Sequence, residues 1–257
     1  MKKNKRRSRQ TRRRLVVYDI DGTLFRLSLL VELVNSLVAS NIFPQAAKET
    51  INKDYLDWIN REGDYEKFIR QMVRVYQKYI VGWDKATINE ISQEVVDFQK
   101  KKVYCFTRDA IREYKNKNYF LLAISGSPED IVQKFADYFG FDRAFGSVWE
   151  VREGRFTNRV YDGAKNKKQI FKMFLESNAK YTGLDGSIAF GDTESDIPIL
   201  KMVDYPVVFN PSLDLANLAV KKGWRMVVER KNVIYRLDKF KIYQPTYTVC
   251  EFLDIPA

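Results

Sequence analysis

Two aspartates separated by one residue form a pair that could carry out phosphoryl transfer. Asp19 and Asp21 follow a short apolar run, and Gly22 and Thr23 come directly after them. One carboxylate of such a pair can attack phosphorus and form a covalent aspartyl-phosphate. The other can protonate the leaving oxygen and later activate water. Because Gly22 lets the backbone approach a phosphate closely, the pair predicts chemistry on a phosphate ester.

The absence of histidine restricts the chemistry further. The 257 residues contain no histidine and two cysteines, Cys105 and Cys250, which follow no metal-binding spacing. This composition excludes a Ser-His-Asp triad, a histidine general base and every zinc site that contains histidine. A disulfide framework is not expected either, so the predicted location is the reducing cytoplasm.

Further polar groups follow two later apolar runs. The triplet Ser125–Ser127 follows one run, and Asp192 and Asp196 follow another. In a parallel sheet the carboxyl ends of the strands meet at one edge, so these groups should converge with the first aspartate pair. Carboxylates that lie so close repel one another, and an oxygen-only donor set favours Mg²⁺ held together with a substrate phosphate. The predicted metal-site residues are Asp19, Asp21, Asp192 and Asp196.

A serine and a lysine cluster could hold the phosphoryl group. Its transfer needs positive charge and hydrogen-bond donors around the phosphate. Ser125 supplies a hydroxyl. One of Lys165, Lys167 and Lys168, just before a predicted helix, supplies the charge.

The elements that must position these groups alternate between strands and helices. This alternation predicts an α/β fold with a Rossmann-like, doubly wound, mostly parallel sheet covered on both faces. Residues 26–103 interrupt the alternation with apolar residues at helical spacing, which predicts an inserted all-helical subdomain. Strands are predicted at Leu15–Tyr18, Tyr119–Ile124, Phe145–Val151, Gly154–Tyr161, Ser187–Phe190 and Tyr205–Phe209. The tryptophans, Trp58, Trp83, Trp149 and Trp224, are predicted to lie in the core.

Three motifs in chain order resemble those of the haloacid dehalogenase-like superfamily. They are Tyr18-Asp19-Ile20-Asp21-Gly22-Thr23-Leu24-Phe25, Ala123-Ile124-Ser125-Gly126-Ser127-Pro128 and Gly191-Asp192-Thr193-Glu194-Ser195-Asp196. The helical insert after the first motif resembles the cap of the phosphoserine-phosphatase-like branch, subfamily IB. The resemblance runs from about Leu15 to Trp224. It implies a core domain of residues 15–25 plus 104–257 and a helical cap of residues 26–103.

The resemblance implies a role for each matching residue. Asp19 would be the nucleophile and a metal ligand, and Asp21 the general acid and base with its backbone carbonyl on the metal. Ser125 would bind the phosphoryl group. Asp192 would be a metal ligand, and Asp196 would support the metal site from the same loop.

The catalytic lysine is the least defined of these assignments. Lys167 fits the family pattern best, because apolar residues follow it at the helical offsets that the branch shows. Lys168 is the alternative, and Lys165 fits less well. The residues expected against the phosphate are Gly22, Thr23, Ser125, Gly126, Lys167 and Lys168.

The implied activity is hydrolysis of a small phosphorylated metabolite by a Mg²⁺-dependent phosphatase through an aspartyl-phosphate. A phosphotransferase that uses the same intermediate is the alternative. Phosphoserine phosphatases hold the substrate amine with an acidic residue at the offset where this chain has Ser28. Phosphoserine is therefore not the expected substrate.

The positive charge of the chain is concentrated at its start. The net charge is +11, but residues 1–14 hold nine basic residues and no acidic one, which leaves +2 for the other 243 residues. A segment of like charges is predicted to be a disordered basic tail. It could make weak contacts with nucleic acid or an anionic membrane, which gives a third hypothesis, a binding protein. No apolar run has the length of a transmembrane segment.

Overall fold

An eight-stranded sheet organises the part of the chain that the structure, a computed structural model, describes: residues 12–161, 167–179 and 182–237. The strands are β1 (Arg13–Tyr18), β2 (Phe120–Pro128), β3 (Arg143–Arg152), β4 (Arg155–Tyr161), β5 (Thr182–Gly191), β6 (Tyr205–Phe209), β7 (Arg225–Arg230) and β8 (Val233–Leu237). Their order across the sheet is β4-β3-β2-β1-β5-β6-β7-β8. The six central strands are parallel, and β4 and β8 are antiparallel to their neighbours. The predicted α/β class is confirmed.

Helices connect these strands. They are α1 (Leu29–Ala39), α2 (Gln45–Ile59), α3 (Tyr65–Ile80), α4 (Lys85–Gln99), α5 (Cys105–Asn116), α6 (Glu129–Phe139), α7 (Lys167–Asn178), α8 (Ile197–Leu200) and α9 (Leu213–Lys222), with a 3₁₀ turn at Glu194–Asp196. The first four helices fall within the range predicted for the insert. No helix in the described ranges is long and apolar enough to cross a membrane.

Strand β1 lies at the centre of the sheet and is buried on both faces. Leu15 and Val17 point into the apolar cluster that includes residues of α7, α8 and α9. Val16 and Tyr18 point into the opposite cluster, which includes residues of α1, α3 and α6. The part of β1 that is buried on both faces, Leu15–Tyr18, can carry no polar side chain at low cost, and its sequence is a continuous apolar run. The first polar side chain after it therefore lies at the edge of the sheet.

The register of the central strands brings three carboxyl ends together. Tyr18 pairs with Ala123 of β2 on one side and with Phe190 of β5 on the other. The Asp19 amide then donates to the Phe190 carbonyl at 3.0 Å. Residues that follow each of these strands consequently share one edge of the sheet, as the parallel arrangement predicts.

The first strand begins earlier than the apolar run alone predicts. Arg13 and Arg14, assigned to the tail from sequence, belong to β1, so that boundary was wrong. The physical reason is that Arg13 finds partners: its guanidinium binds Asp142 at 2.7 Å, and its carbonyl accepts from the Thr182 hydroxyl at 2.8 Å. The predicted tail contacts with nucleic acid or membrane fall mainly on residues 1–11, which lie outside the described residues.

Of the helices α1–α4, α1 packs against β2 and α3 against β4, while α2 and α4 pack mainly on other helices. The buried face of α1 carries Leu29, Leu30, Leu33, Val34, Leu37 and Val38 at helical spacing. Helix α3 begins at an Asp64 cap, whose carboxylate accepts from the Glu66 amide, and packs Tyr76 edge-on against Trp149 of β3. Trp149 lies in the core as predicted, with 6% exposure. These contacts fix the position of α3 relative to the sheet.

Candidate active site

Three carboxylates meet beside the end of β1. Asp19 follows β1, and Asp192 and Asp196 follow β5, and each offers a carboxylate oxygen within 4.8 Å of the others. Asp19 and Asp196 are buried, and Asp192 is half-buried. Three residues from the predicted metal set are therefore together, which is the convergence expected from the strand ends.

Lys167 is the cation of this cluster. Its ammonium lies 2.7 Å from an oxygen of Asp19 and 2.7 Å from an oxygen of Asp196, and its side chain is 4% exposed. Burial alone would lower the pKa of Lys167, but the two carboxylates outweigh burial and raise the pKa, so the lysine is held charged. Lys168, the alternative, is exposed on α7, and Lys165 lies outside the described residues.

Asp21 points away from the carboxylate cluster and towards β2. One of its oxygens accepts from the hydroxyls of Ser125, at 2.7 Å, and Ser127, at 2.8 Å. Its other oxygen accepts from the amide of Leu29, the first residue of α1. Ser127 also accepts from the Leu30 amide at 3.0 Å, so the start of α1 is tied to the same carboxylate. Sequence reasoning assigned no role to Ser127.

Asp196 holds the loop that carries Asp192. One of its oxygens binds Lys167, and the other accepts from the backbone amides of Asp192 at 3.1 Å and Thr193 at 3.2 Å. Both oxygens are thus engaged by protein donors, which makes Asp196 a residue that positions Lys167 and the loop. Gly126 lies on the far side of Ser125, where its carbonyl accepts from the Ser147 hydroxyl at 2.8 Å.

Gly22 and Thr23 pack directly against Asp192. The Thr23 hydroxyl donates to one oxygen of Asp192 at 3.0 Å. Gly22 has φ +82°, and a Cβ there would lie 2.1 Å from the other oxygen of Asp192. A side chain at this position is therefore excluded both by backbone conformation and by space.

The electrostatics of the cluster favour an added cation. The pKa of Asp19 is raised to about 7, chiefly by burial; Lys167 opposes the rise, and the charges of Asp196 and Asp21 add to it. Burial, followed by the charges of Asp19 and Asp196, also raises the pKa of Asp192 well above its usual value. The second oxygen of Asp19 is buried without a hydrogen-bond partner among the described residues. An oxygen-only donor set with excess negative charge fits Mg²⁺ held by Asp19 and Asp192.

A cavity of about 740 Å³ opens onto this cluster from the side of the helices. Gly22 and Asp192 form one end of it, and side chains of α1, α2 and α3 line the rest. Burial raises the pKa of Tyr65, and the charges of Asp21 and Asp192 raise it further. The start of α3 is therefore close enough to these carboxylates to interact with them electrostatically. Trp58, predicted as a core residue, packs against the core and also lines this cavity. No motif in the sequence signalled this cavity, because it lies between helices.

Comparison with known proteins identifies the family. The model of the haloacid dehalogenase-like hydrolases matches residues 16–201, which include all the carboxylates above and Lys167. The chain belongs to this family. The match covers the three motifs from which the resemblance was inferred.

Relatives of the chain include named phosphatases. A probable phosphatase of Mycobacterium tuberculosis is 23% identical over 80% of this chain and 72% of its own length. The histidinol-phosphatase of Neisseria meningitidis is 23% identical over 82% of this chain and 96% of its own. A solved structure of phosphoserine phosphatase, with a phospho-aspartyl intermediate analogue, superposes with a TM-score of 0.55 at 19% identity, over 86% of this chain and 95% of that one. The predicted enzyme class, a phosphatase of the haloacid dehalogenase-like family, is confirmed.

Replacement of Gly22 by alanine is expected to lower phosphatase activity about 10²-fold, because the new Cβ must displace the Asp192 carboxylate, and a shift of about 1 Å at a reacting centre has that effect. Gly82→Ala is a matched control, since Gly82 has φ +84° and, apart from its chain neighbours, no described residue has an atom within 4 Å of the place that a Cβ would occupy. Both variants should lose about 1–2 kcal/mol in the free energy of unfolding from left-handed strain. Equal activities of the two folded variants would contradict the assignment of Asp192 to the site.

Proposed function

We propose that this chain hydrolyses a phosphomonoester through a phosphate bound covalently to Asp19. The observation that carries the proposal is the meeting of Asp19, Lys167 and Asp192 at the carboxyl edge of the sheet, beside a cavity large enough for a small molecule. Family membership supports the same chemistry, since phosphatases are among the relatives.

Asp19 is the proposed nucleophile. One of its oxygens has no hydrogen-bond partner in the described part of the chain and is free to attack phosphorus, while Lys167 holds the other oxygen and keeps the carboxylate oriented. The attack forms a bond between Asp19 and phosphorus and breaks the bond to the alcohol oxygen. Lys167 also supplies positive charge beside the phosphoryl oxygens as charge moves onto them.

Asp21 is the proposed general acid and base. Its pKa is raised chiefly by burial, while hydrogen bonds from Ser125, the Leu29 amide and Ser127 oppose the rise. A raised pKa favours a carboxyl group that can give a proton to the leaving alcohol and then accept one from water. Because Leu29 and Leu30 begin α1, movement of that helix would reorient this proton donor.

Asp19 and Asp192 are the proposed Mg²⁺ ligands, with the carbonyl of Asp21 as predicted from the family pattern. When bound, the ion would neutralise the carboxylates and the substrate phosphate. Lys167 and Asp196 keep the two ligands in place, through direct contact with Asp19 and through the loop amides beside Asp192. Ser125 is proposed to turn from Asp21 to the phosphoryl group when substrate is bound.

The proposal predicts Mg²⁺-dependent hydrolysis of p-nitrophenyl phosphate and a trappable acyl-phosphate. Hydroxylamine added during turnover should convert Asp19 to a hydroxamate, which peptide mass spectrometry would locate. EDTA should abolish both turnover and trapping. Turnover with no label at Asp19 would contradict the covalent route.

The same assay separates hydrolysis from phosphoryl transfer. Added alcohols such as glycerol should leave inorganic phosphate as the main product if water is the natural acceptor. Phosphorylated glycerol as the main product would instead support the phosphotransferase alternative, with the same covalent step.

A further inference from the structure

The cavity beside the catalytic carboxylates has a buried apolar part and an exposed polar rim. Among its lining residues, Val38, Ile51, Phe68 and Met72 are buried, and none carries a hydrogen-bonding side chain. The charged and amide side chains of the lining other than Glu32 and Asp192 are exposed: Arg26, Asn35, Gln45, Lys48 and Asn52. The space nearest the core is therefore suited to an apolar group, with water-soluble groups at the opening.

An aromatic cluster forms one wall of this cavity. The rings of Trp58 and Phe68 are stacked with centroids 5.7 Å apart, and Tyr65 lies 4.9 Å from Trp58. Tyr55 packs on Phe68 at 5.6 Å and is 41% exposed, which places it towards the opening. Aromatic side chains present large rigid contact areas. In a protein without a ligand this wall would face water, so an apolar ligand would gain from covering it.

Few polar side chains line the inner part of the cavity, and one of them, Glu32, already has a hydrogen-bond partner. Glu32 accepts a hydrogen bond from Gln99. Burial raises the pKa of Glu32, and the charge of Lys102 opposes this rise. Ser28 is buried at 6% exposure. A compact polar alcohol such as serine would find one acidic partner here and would leave most of the apolar wall wet.

We propose that this cavity binds the alcohol part of the substrate, and that this part is a bulky apolar group, either an alkyl chain or an aromatic ring system. The inference rests on the proposed function, because it assumes that the phosphate lies at Asp19 and Asp192. With the phosphate there, the ester oxygen faces the cavity that Gly22 and Asp192 open into. Trp58, Phe68 and Met72 then determine specificity by covering the apolar group.

Binding of non-hydrolysable phosphonates tests this without any turnover. Butylphosphonate and octylphosphonate, titrated calorimetrically with Mg²⁺ present, share the phosphonate and differ by apolar length alone. Each buried methylene adds about fourfold in affinity, so we expect octylphosphonate to bind at least about ten times more tightly. 1-Naphthylmethylphosphonate serves as the aromatic arm and should also bind more tightly than butylphosphonate. Equal affinities for all three would overturn the inference.

Variants locate the effect in the cavity. In Trp58→Ala the ratio of octylphosphonate affinity to butylphosphonate affinity should fall at least about tenfold. The affinity for butylphosphonate itself should stay within about threefold of that of the parent chain. Tyr55→Ala is a second variant, chosen because its exposure makes misfolding less of a risk, and should reduce the same preference by a smaller factor. Phe98→Ala is the matched control, since Phe98 is an aromatic residue on α4 with 77% exposure and is not part of the lining. An unchanged preference in both folded cavity variants would overturn the inference.

Hydrolysis distinguishes failure of this inference from failure of the proposed function. A chain that binds octylphosphonate with this preference but hydrolyses neither octyl phosphate nor p-nitrophenyl phosphate would reject the proposed function and retain the apolar cavity. A chain that hydrolyses O-phosphoserine or phosphoethanolamine with a higher kcat/KM than octyl phosphate would reject the apolar substrate and retain the phosphatase.

Discussion

Replacement of Asp19 by asparagine is expected to lower kcat/KM for p-nitrophenyl phosphate at least about 10³-fold, because loss of the covalent nucleophile removes most of the chemical step. The asparagine amide keeps the shape of the side chain but cannot form the acyl-phosphate. Its effect on the fold should be small, since one negative charge leaves a cluster in which burial already raises the pKa of Asp19 to about 7. The measurement is steady-state turnover with Mg²⁺ at saturating concentration.

An aspartate elsewhere in the same sheet provides the control. Asp185 is an exposed residue of β5, far along the strand from the carboxyl edge. Asp185→Asn makes the same chemical change at the surface, where substitutions usually have little effect on stability. Its turnover should therefore stay within about twofold of the parent chain. If Asp19→Asn retained full activity while folding normally, the nucleophile would have to be another group, and the covalent route would be lost.

The parallel sheet made the position of the carboxylates predictable. An apolar run such as Leu15–Tyr18 can be buried on both faces only if its first polar residue lies beyond the strand end. The same rule applied to β5 places Asp192 at that edge. Two short-range patterns therefore sufficed to bring together residues that are more than 170 positions apart.

Contacts that depend on irregular backbone could not be predicted in this way. Ser127 binds Asp21 from the stretch of β2, between Ile124 and Pro128, in which the pairing with β3 shifts register. Ser125 and Ser127 are two residues apart, so alternation places both on one face of β2, but it does not show that the start of α1 binds the same carboxylate and Ser127. The early start of β1 at Arg13 likewise depends on Asp142, a partner far along the chain.

The cavity was also beyond sequence reasoning, for a different reason. Helical periodicity shows which face of a helix is apolar but not whether that face meets another helix or a ligand. Trp58 has the spacing of a core residue, and it does pack on core aromatics such as Phe68. Only the packing of α1, α2 and α3 around a space reveals that its other side is available to a ligand.

Replacement of Lys167 by glutamine is the second change with a large expected effect. It removes the one cation in contact with Asp19 and Asp196 among the described residues and leaves buried carboxylates without a charged partner. Breaking a buried ion pair from one side costs about 3–5 kcal/mol, so we expect a loss of about 3 kcal/mol in the free energy of unfolding with EDTA present. Activity should fall at least about 10²-fold, the usual effect of losing a group that stabilises transition-state charge.

Lys168→Gln is the matched control, because the adjacent lysine is exposed on the same helix. Its free energy of unfolding should change by about 0.5 kcal/mol or less, and its activity should stay close to that of the parent chain. A large loss in Lys168→Gln with a normal Lys167→Gln would reverse the choice between the two lysines.

The response to Mg²⁺ separates loss of charge from general damage. Without Lys167 the field at Asp19 and Asp192 becomes more negative, and a divalent cation gains more by binding there. Since a ligand that binds only the folded state stabilises it more the tighter it binds, with the logarithm of the affinity, the rise in Tm on adding Mg²⁺ should be larger for Lys167→Gln than for the parent chain. General disruption of the site would make that rise smaller. The sign of this difference therefore tests whether Lys167 and the metal neutralise the same carboxylates, which is the electrostatic basis of the proposed site.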